Sequence, residues 1–141
     1  MTQAVERTSL APGLSISRVL TGLWQIADME RDGRALDPDA AAAALRPYAE
    51  AGLTSFDMAD HYGSAEIVAG RLRDSLGGST GVQLFTKWVP KPGPLRLADT
   101  RVAVELSLQR LGARRIDLLQ FHAWSYADPS WIDGLLHLET L

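Results

Sequence analysis

Short runs rich in β-branched and large apolar residues alternate along the chain with longer stretches whose apolar positions fall three or four apart. The first run, Arg18 to Gln25 (RVLTGLWQ), predicts a strand. A polar stretch follows from Asp28 to Leu36, with Gly33 inside it. Asp37-Pro38 then predicts a helix start, with Asp as N-cap and Pro at the first helical position, and Ala40 to Ala44 carries the helix forward. Pro47 lacks the N–H that would bond to Ala43, which predicts a kink or a restart; Gly52 predicts the stop.

The alternation repeats three times. Thr54 to Asp57 (TSFD) predicts a second strand. Ser64 can cap a second helix, with Glu66 in its first turn where negative charge suits the helix dipole. Val68, Leu72 and Leu76 form its apolar stripe, and Gly77-Gly78 ends it. Val82 to Lys87 (VQLFTK) predicts a third strand, followed by the proline-rich loop WVPKPGP. Asp99 or Thr100 is the expected cap of a third helix, in which Val104, Leu108 and Leu111 share a face and Gly112 closes. Ile116 to His122 (IDLLQFH) predicts a fourth strand. Asp128-Pro129 repeats the helix-start signal, and Trp131, Leu135 and Leu138 give the last helix its apolar stripe.

Four strand–helix units recur at intervals of roughly 30 to 35 residues, the pattern of a parallel sheet with right-handed crossovers. Ahead of them, ERTSLAPGLSIS places a Pro-Gly turn between two short runs and predicts a β-hairpin.

Composition narrows the function classes. The 141 residues carry 14 Lys and Arg against 17 Asp and Glu, a net charge of −3, with no electrostatic footprint for nucleic acid or an anionic membrane. Hydrophobic residues at 46% and charged residues at 22% are ordinary for a folded domain. The absence of cysteine excludes disulfides, thiolate metal sites and a cysteine nucleophile. No apolar run reaches the roughly 18 residues of a membrane helix, and MTQAVERTSL lacks the apolar region of a signal peptide. The expectation is one soluble cytoplasmic domain with no internal boundary.

Three ionisable residues recur at one position of successive units: Asp57, Lys87 and His122 each end a strand, with Tyr62 in the loop after the second strand. Taken singly, a strand-end Asp or Lys is ordinarily a solvated boundary residue, and a lone His ordinarily a satisfied core residue. Together they fall on the C-terminal rim of a parallel sheet, where α/β folds bind ligands. A charge ending an apolar strand is costly unless paired, and Asp57 and Lys87 on neighbouring strands can offset one another. Tyrosine ordinarily titrates near pH 10, and a nearby ammonium stabilises its phenolate. With a His able to donate to a carbonyl oxygen, the set suits protonation of an oxygen that becomes alkoxide-like. Hydride would have to come from a nicotinamide cofactor. A second reading makes Asp57, Asp60, His61 and His122 ligands of zinc or manganese in a barrel hydrolase, although no H-x-H or H-E-x-x-H pattern supports it. Nothing resembles a phosphate-binding P-loop; Gly77-Gly78 is a helix stop.

From about Arg7 onward the chain resembles the aldo-keto reductase family. FDMADHYGSAE (Phe56 to Glu66) resembles the signature holding the catalytic Asp and Tyr. LFTK (Leu84 to Lys87) resembles the strand ending in the catalytic Lys, and SLQRLGARRIDLLQFH (Ser107 to His122) the helix–turn–strand signature ending in the active-site His. TGLWQ (Thr21 to Gln25) resembles the first barrel strand, whose end contacts the cofactor. The resemblance implies a (β/α)8 TIM barrel and NADP(H)-dependent interconversion of a carbonyl and an alcohol. Tyr62 would be the general acid, Lys87 its assistant, Asp57 the residue holding Lys87, and His122 the orienter of a small-molecule carbonyl substrate. Gly22, Leu23, Trp24 and Asp57 would touch the cofactor, and no metal is implied. Trp24, Trp88 and Trp124 would line an apolar substrate pocket, ordinary packing being the alternative for each. Met58 stands where many members have Thr, without disturbing the register of Asp57 and Tyr62.

An eight-unit barrel needs about 250 residues, and four units are present here. In the family, later loops hold most contacts to the cofactor's phosphates and adenosine. The closing LLHLETL carries no Gly or Pro stop, as though a helix were interrupted. The expected domain is therefore a partial one over residues 1–141, truncated at its C-terminus. Half a barrel leaves two open sheet edges and inward faces expected to be uncovered apolar surface, so self-association through those edges is expected, two copies pairing into a pseudo-barrel. Two function classes follow: the active-site half of a reductase, inactive as the isolated chain, or a non-catalytic remnant acting as an interaction module.

Overall fold

The computed structural model describes residues 4–27, 36–77 and 81–141. Gly33 with its polar stretch from residue 28, and Gly78, lie outside the described residues. The chain opens with the antiparallel hairpin β1 (Arg7–Ala11) and β2 (Leu14–Ser17), turned at Pro12-Gly13 with Gly13 at φ 77°. Then come β3 (Thr21–Gly22), α1 (Pro38–Glu50), β4 (Ser55–Asp57), α2 (Ala65–Ser75), β5 (Gln83–Trp88), α3 (Leu97–Leu111), β6 (Leu118–Phe121) and α4 (Ser130–Glu139). Strands β3-β4-β5-β6 form one parallel sheet in chain order, as the alternation predicts.

Register sorts the side chains. Asp57 pairs with Phe85 and Lys87 with Gln120, so Ser55, Asp57, Gln83, Phe85 and Lys87 share one face of the sheet. Phe56, Leu84 and Thr86 share the other, against the helices. Phe56, Leu84, Val68, Leu72 and Leu111 are at most 1% exposed in the core there. Fully burying one such side chain stabilises by roughly 1.5–3 kcal/mol. The opposite face is mostly polar, and the hairpin occupies its N-terminal end. Arg7 donates to Thr54 Oγ1 (2.9 Å) and Gln83 Oε1 (3.2 Å), Gln83 Nε2 donates to Ser15 O, and the Ser17 N–H donates to Ser55 Oγ. The expectation of a bare apolar inner face is thus corrected. Large exposed apolar side chains include Val102, Leu106, Ile132, Leu135 and Leu136 on the helices, Trp124 and Tyr126 on the loop after β6, and Leu10, Val19 and Leu20 near the hairpin.

The helix signals hold in part. Asp37 caps α1 by accepting from the Asp39 N–H, and Pro38 is its first residue. The helix runs through Pro47 without a restart, because the proline falls in the last turn and the Ala51 N–H still bonds to Pro47 O. Gly52 at φ 97° follows α1, and Gly112 at φ 57° ends α3, the left-handed geometry of helix stops. Four expectations change. The first strand is only Thr21–Gly22: after one more ladder bond, from the Leu23 N–H to Asp57 O, the chain turns, the Ala27 N–H bonding back to Leu23 O. Neither Asp99 nor Thr100 caps α3: Arg96, extended at φ −103°, precedes its first residue. Asp99 takes two hydrogen bonds from the Arg96 guanidinium, which hold its carboxyl below the ordinary value. Ser64 precedes α2 without capping it through its side chain. In α4 the packed position is Gly134, not Leu135, which is 43% exposed; Asp128, held below its usual carboxylate range by the Ser130 hydroxyl and N–H, sits two residues before that helix.

Candidate active site

Parallel pairing carries the hydrogen-bond ladder past the strand ends and so builds a rim. Met58 N–H donates to Phe85 O, Asp60 N–H to Lys87 O, and His122 N–H to Trp88 O, each at 2.9 Å. Asp57 is the last residue of β4, Lys87 the last but one of β5, and His122 the residue after β6. The expected offset between charges is present. Lys87 Nζ donates to Asp57 Oδ1 (2.8 Å), Asp57 Oδ2 (2.7 Å) and Met58 O (2.8 Å). Those three acceptors match the three protons of an ammonium. Lys87 therefore acts on its surroundings through charge. Its side chain is 16% exposed, so that charge is weakly screened.

Tyr62 sits in the loop after β4 with its ring facing that charge, Lys87 Nζ lying 5.4 Å from the ring centroid. Asp57, Lys87 and Tyr62 are thus brought together. His122 joins through aromatic contacts: its ring meets Trp124 at 5.3 Å, Trp124 meets His61 at 5.8 Å, and His61 meets Tyr62 at 4.8 Å, all edge to face. Trp124 is 66% exposed at this rim, and Trp24 is also exposed. Trp88 is buried with its ring edge-on to Phe121, in the position of a packing residue. Gly22 lies opposite Asp57 in the sheet, and a Cβ built on it would meet nothing within 4 Å. Leu23 is fully buried, with both its N–H and its carbonyl bonded inside the fold.

The metal reading gains nothing from this geometry. Asp57 is committed to Lys87, while Asp60 accepts from the Val89 N–H and pairs with His61 Nδ1. Among the described residues no three His, Asp or Glu side chains gather to hold a metal ion. A groove of about 520 Å³ lies between α2 and α3, lined by Gly70, Leu106 and Leu111 and by none of Asp57, Tyr62, Lys87 and His122.

The order of elements has a counterpart among known proteins. A family model described as "Aldo/keto reductase family" matches residues 18–141. The chain belongs to the aldo/keto reductase family. Aflatoxin B1 aldehyde reductase member 2 of Rattus norvegicus is 38% identical over 101 residues, which is 69% of this chain and 28% of that enzyme. The crystal structure of an aldo/keto reductase from Brucella melitensis matches with a TM-score of 0.74 and 25% identity, covering 98% of this chain and 49% of that one. An aldo/keto reductase from Klebsiella pneumoniae, solved with NADP and acetate, matches with a TM-score of 0.69 and 25% identity over 90% of this chain and 42% of that one. This aldo/keto reductase chain therefore spans less than half the length of these relatives. Its hairpin and four-stranded parallel sheet correspond to the N-terminal part of the family's TIM barrel. Among the described residues no helix is long and apolar enough to cross a membrane.

Two residues beside the rim escape a reading of the sequence. Glu66 stands in the first turn of α2 as expected, but its side chain is only 2% exposed, which the dipole argument does not anticipate. Arg110 on α3 reaches both Glu66 and the carbonyl of Asp60. The available signal was the carboxylate of Glu66 within the apolar run Ala65 to Gly70, which demands a buried partner.

Proposed function

We propose that this chain supplies the catalytic half of an NADP(H)-dependent carbonyl reductase, converting an aldehyde or ketone to an alcohol. The observation that carries the reading is the Tyr62 ring set over an ammonium whose protons are all held by Asp57 and Met58. Gly22 and Trp24, with Asp57 beside them, would hold the nicotinamide end of the cofactor. The open space above Gly22 and the partly exposed Asp57 side chain fit a flat ring brought close to the backbone. NADP is favoured over NAD by the Klebsiella relative solved with it. When bound, the cofactor supplies the hydride for the carbonyl carbon.

The chain's own residues do the rest. His122 orients the carbonyl by hydrogen bonding its oxygen. Tyr62 delivers its hydroxyl proton to that oxygen as negative charge develops there. Lys87 stabilises the charge left on the Tyr62 oxygen, and Asp57 keeps Lys87 in place. Trp24 and Trp124 flank the substrate and shed water from it. A cysteine-free chain suits the reducing cytoplasm. The test joins this chain at Leu141 to the remaining β/α units of a full-length family member. We expect NADPH oxidation with a panel of aldehydes from the joined protein and none from the 141-residue chain. A folded joined protein that turns over no carbonyl would overturn the assignment.

A second reading, self-association, is favoured by a specific observation. Strands β3 and β6 end the sheet, and α4 leaves Ile132, Leu135 and Leu136 at 45%, 43% and 55% exposure. A second copy pairing edge to edge would cover such surface. Sedimentation of the chain is expected to give a species above 15.3 kDa, and Leu136→Glu a shift towards that mass. A monodisperse wild-type monomer would remove this reading.

A further inference from the structure

One buried polar network lies behind the rim, and its members touch the carriers of both Tyr62 and Lys87. The Glu66 carboxylate is 2% exposed. Its Oε1 accepts from Thr86 Oγ1 at 2.7 Å, and its Oε2 faces Arg110 Nη1 at 3.4 Å. The same Arg110 Nη1 donates to Asp60 O at 2.8 Å. Asp60 is held twice more, its N–H bonding to Lys87 O of β5 at 2.9 Å and its Oδ2 accepting from the N–H of Val89, the residue after β5, at 3.1 Å. Little slack separates Asp60 from Tyr62, because the Tyr62 N–H bonds back to Ala59 O at 3.1 Å and Tyr62 O accepts from the Ala65 N–H at 2.9 Å.

We propose that Arg110 and Glu66 are positioning residues that fix the Tyr62 loop against the strand bearing Lys87. This rests on the reading of Tyr62 and Lys87 as the reacting pair. Thr86 ties the network to β5 next to Lys87, and the Asp60 carbonyl ties it to the loop two residues before Tyr62. A buried carboxylate is a costly way to fill space, and apolar residues of similar volume commonly serve packing as well or better. What the pair adds here is direction: a guanidinium nitrogen that faces Glu66 and bonds the Asp60 carbonyl holds the loop at one height above the sheet.

The test measures amide hydrogen exchange by NMR in the 141-residue chain and in Arg110→Met, Arg110→Lys and Glu66→Gln. Arg110→Met keeps an apolar stem in place and removes the donors. It is expected to speed exchange at the Asp60 and Tyr62 amides about tenfold relative to those of Leu72 and Phe85, because a local opening has been made easier than the global one. The Tyr62 ring signals, assigned with Tyr62→Phe, should shift while those of Tyr48 and Tyr126 stay. Arg110→Lys should recover part of the protection, and Glu66→Gln, which keeps the volume, should change it in the same direction by about threefold. Should Arg110→Met fail to fold, the other two variants decide. An equal change at all four amides, or none at Asp60 and Tyr62, would overturn the proposal and leave Arg110 an ordinary packing residue. Because exchange needs neither cofactor nor turnover, this result stands apart from carbonyl reduction, whose own failure would show only in NADPH oxidation.

Discussion

Tyr62→Phe is expected to lower kcat about a thousandfold in the completed barrel, with KM for the carbonyl changed far less. A positioned general acid contributes roughly 10²–10⁴-fold, and phenylalanine removes the transferable proton without removing the ring. The ring's contacts with His61 and with the Lys87 charge survive the change, so fold and pocket should persist. An effect confined to kcat marks an interaction made in the transition state alone. The geometry around Lys87 sharpens the expectation. Its Nζ is turned to the Asp57 carboxylate and Met58 O, while it faces Tyr62 across the ring, so its assistance is expected to be electrostatic. Steady-state NADPH oxidation on the joined protein and its variant measures the effect. A variant retaining a tenth or more of wild-type kcat would strip Tyr62 of the acid role.

Much of the rim was legible because its signals are local. A charge that ends an apolar strand needs a partner, and Asp57 and Lys87 found each other across neighbouring strands. Gly13, Gly52 and Gly112 mark turns or helix stops that the sequence alone announces, and each has the positive φ that favours glycine. The misread features depend on residues far along the chain. Strand β3 is the exception: it stops at Gly22 because the chain turns locally, the Ala27 N–H bonding back to Leu23 O. Glu66 in a first turn reads as a charge that suits the helix dipole, a reading silent about burial. Its burial is decided by Thr86, 20 residues away, and Arg110, 44 away. In α4, apolar spacing favours Leu135 as the packed residue, yet it is the neighbouring Gly134 that lies against Phe121 and Leu95.

Gly70→Ala, in the middle of α2, is expected to destabilise the chain by about 3 kcal/mol, against the usual trend for such a change. In an exposed helix interior, alanine is favoured over glycine by about 1 kcal/mol. Here a Cβ would lie 2.4 Å from Leu111 O and 2.8 Å from Leu111 C, both backbone atoms at the end of α3. That end has little freedom to retreat. Arg73 Nη2 donates to Leu111 O at 3.3 Å and to Gly112 O at 2.8 Å, and Gly112 closes the helix in left-handed geometry. Overpacking ordinarily costs 1–3 kcal/mol and more where rigid groups collide, so the steric term outweighs the propensity gain. Gly134→Ala is the internal control. Its Cβ would meet Phe121 Cε2 at 2.7 Å and Leu95 Cδ1 at 2.8 Å, side-chain atoms that can rotate away. Its expected cost is about 1 kcal/mol, by the same comparison of clash against propensity. Urea unfolding of both variants measures the difference. A Gly70→Ala chain as stable as wild type would mean that α2 and α3 do not approach as closely as the Leu111 carbonyl requires. The floor of the Tyr62 loop would then be looser too, since Arg110 holds Asp60 from that same end of α3.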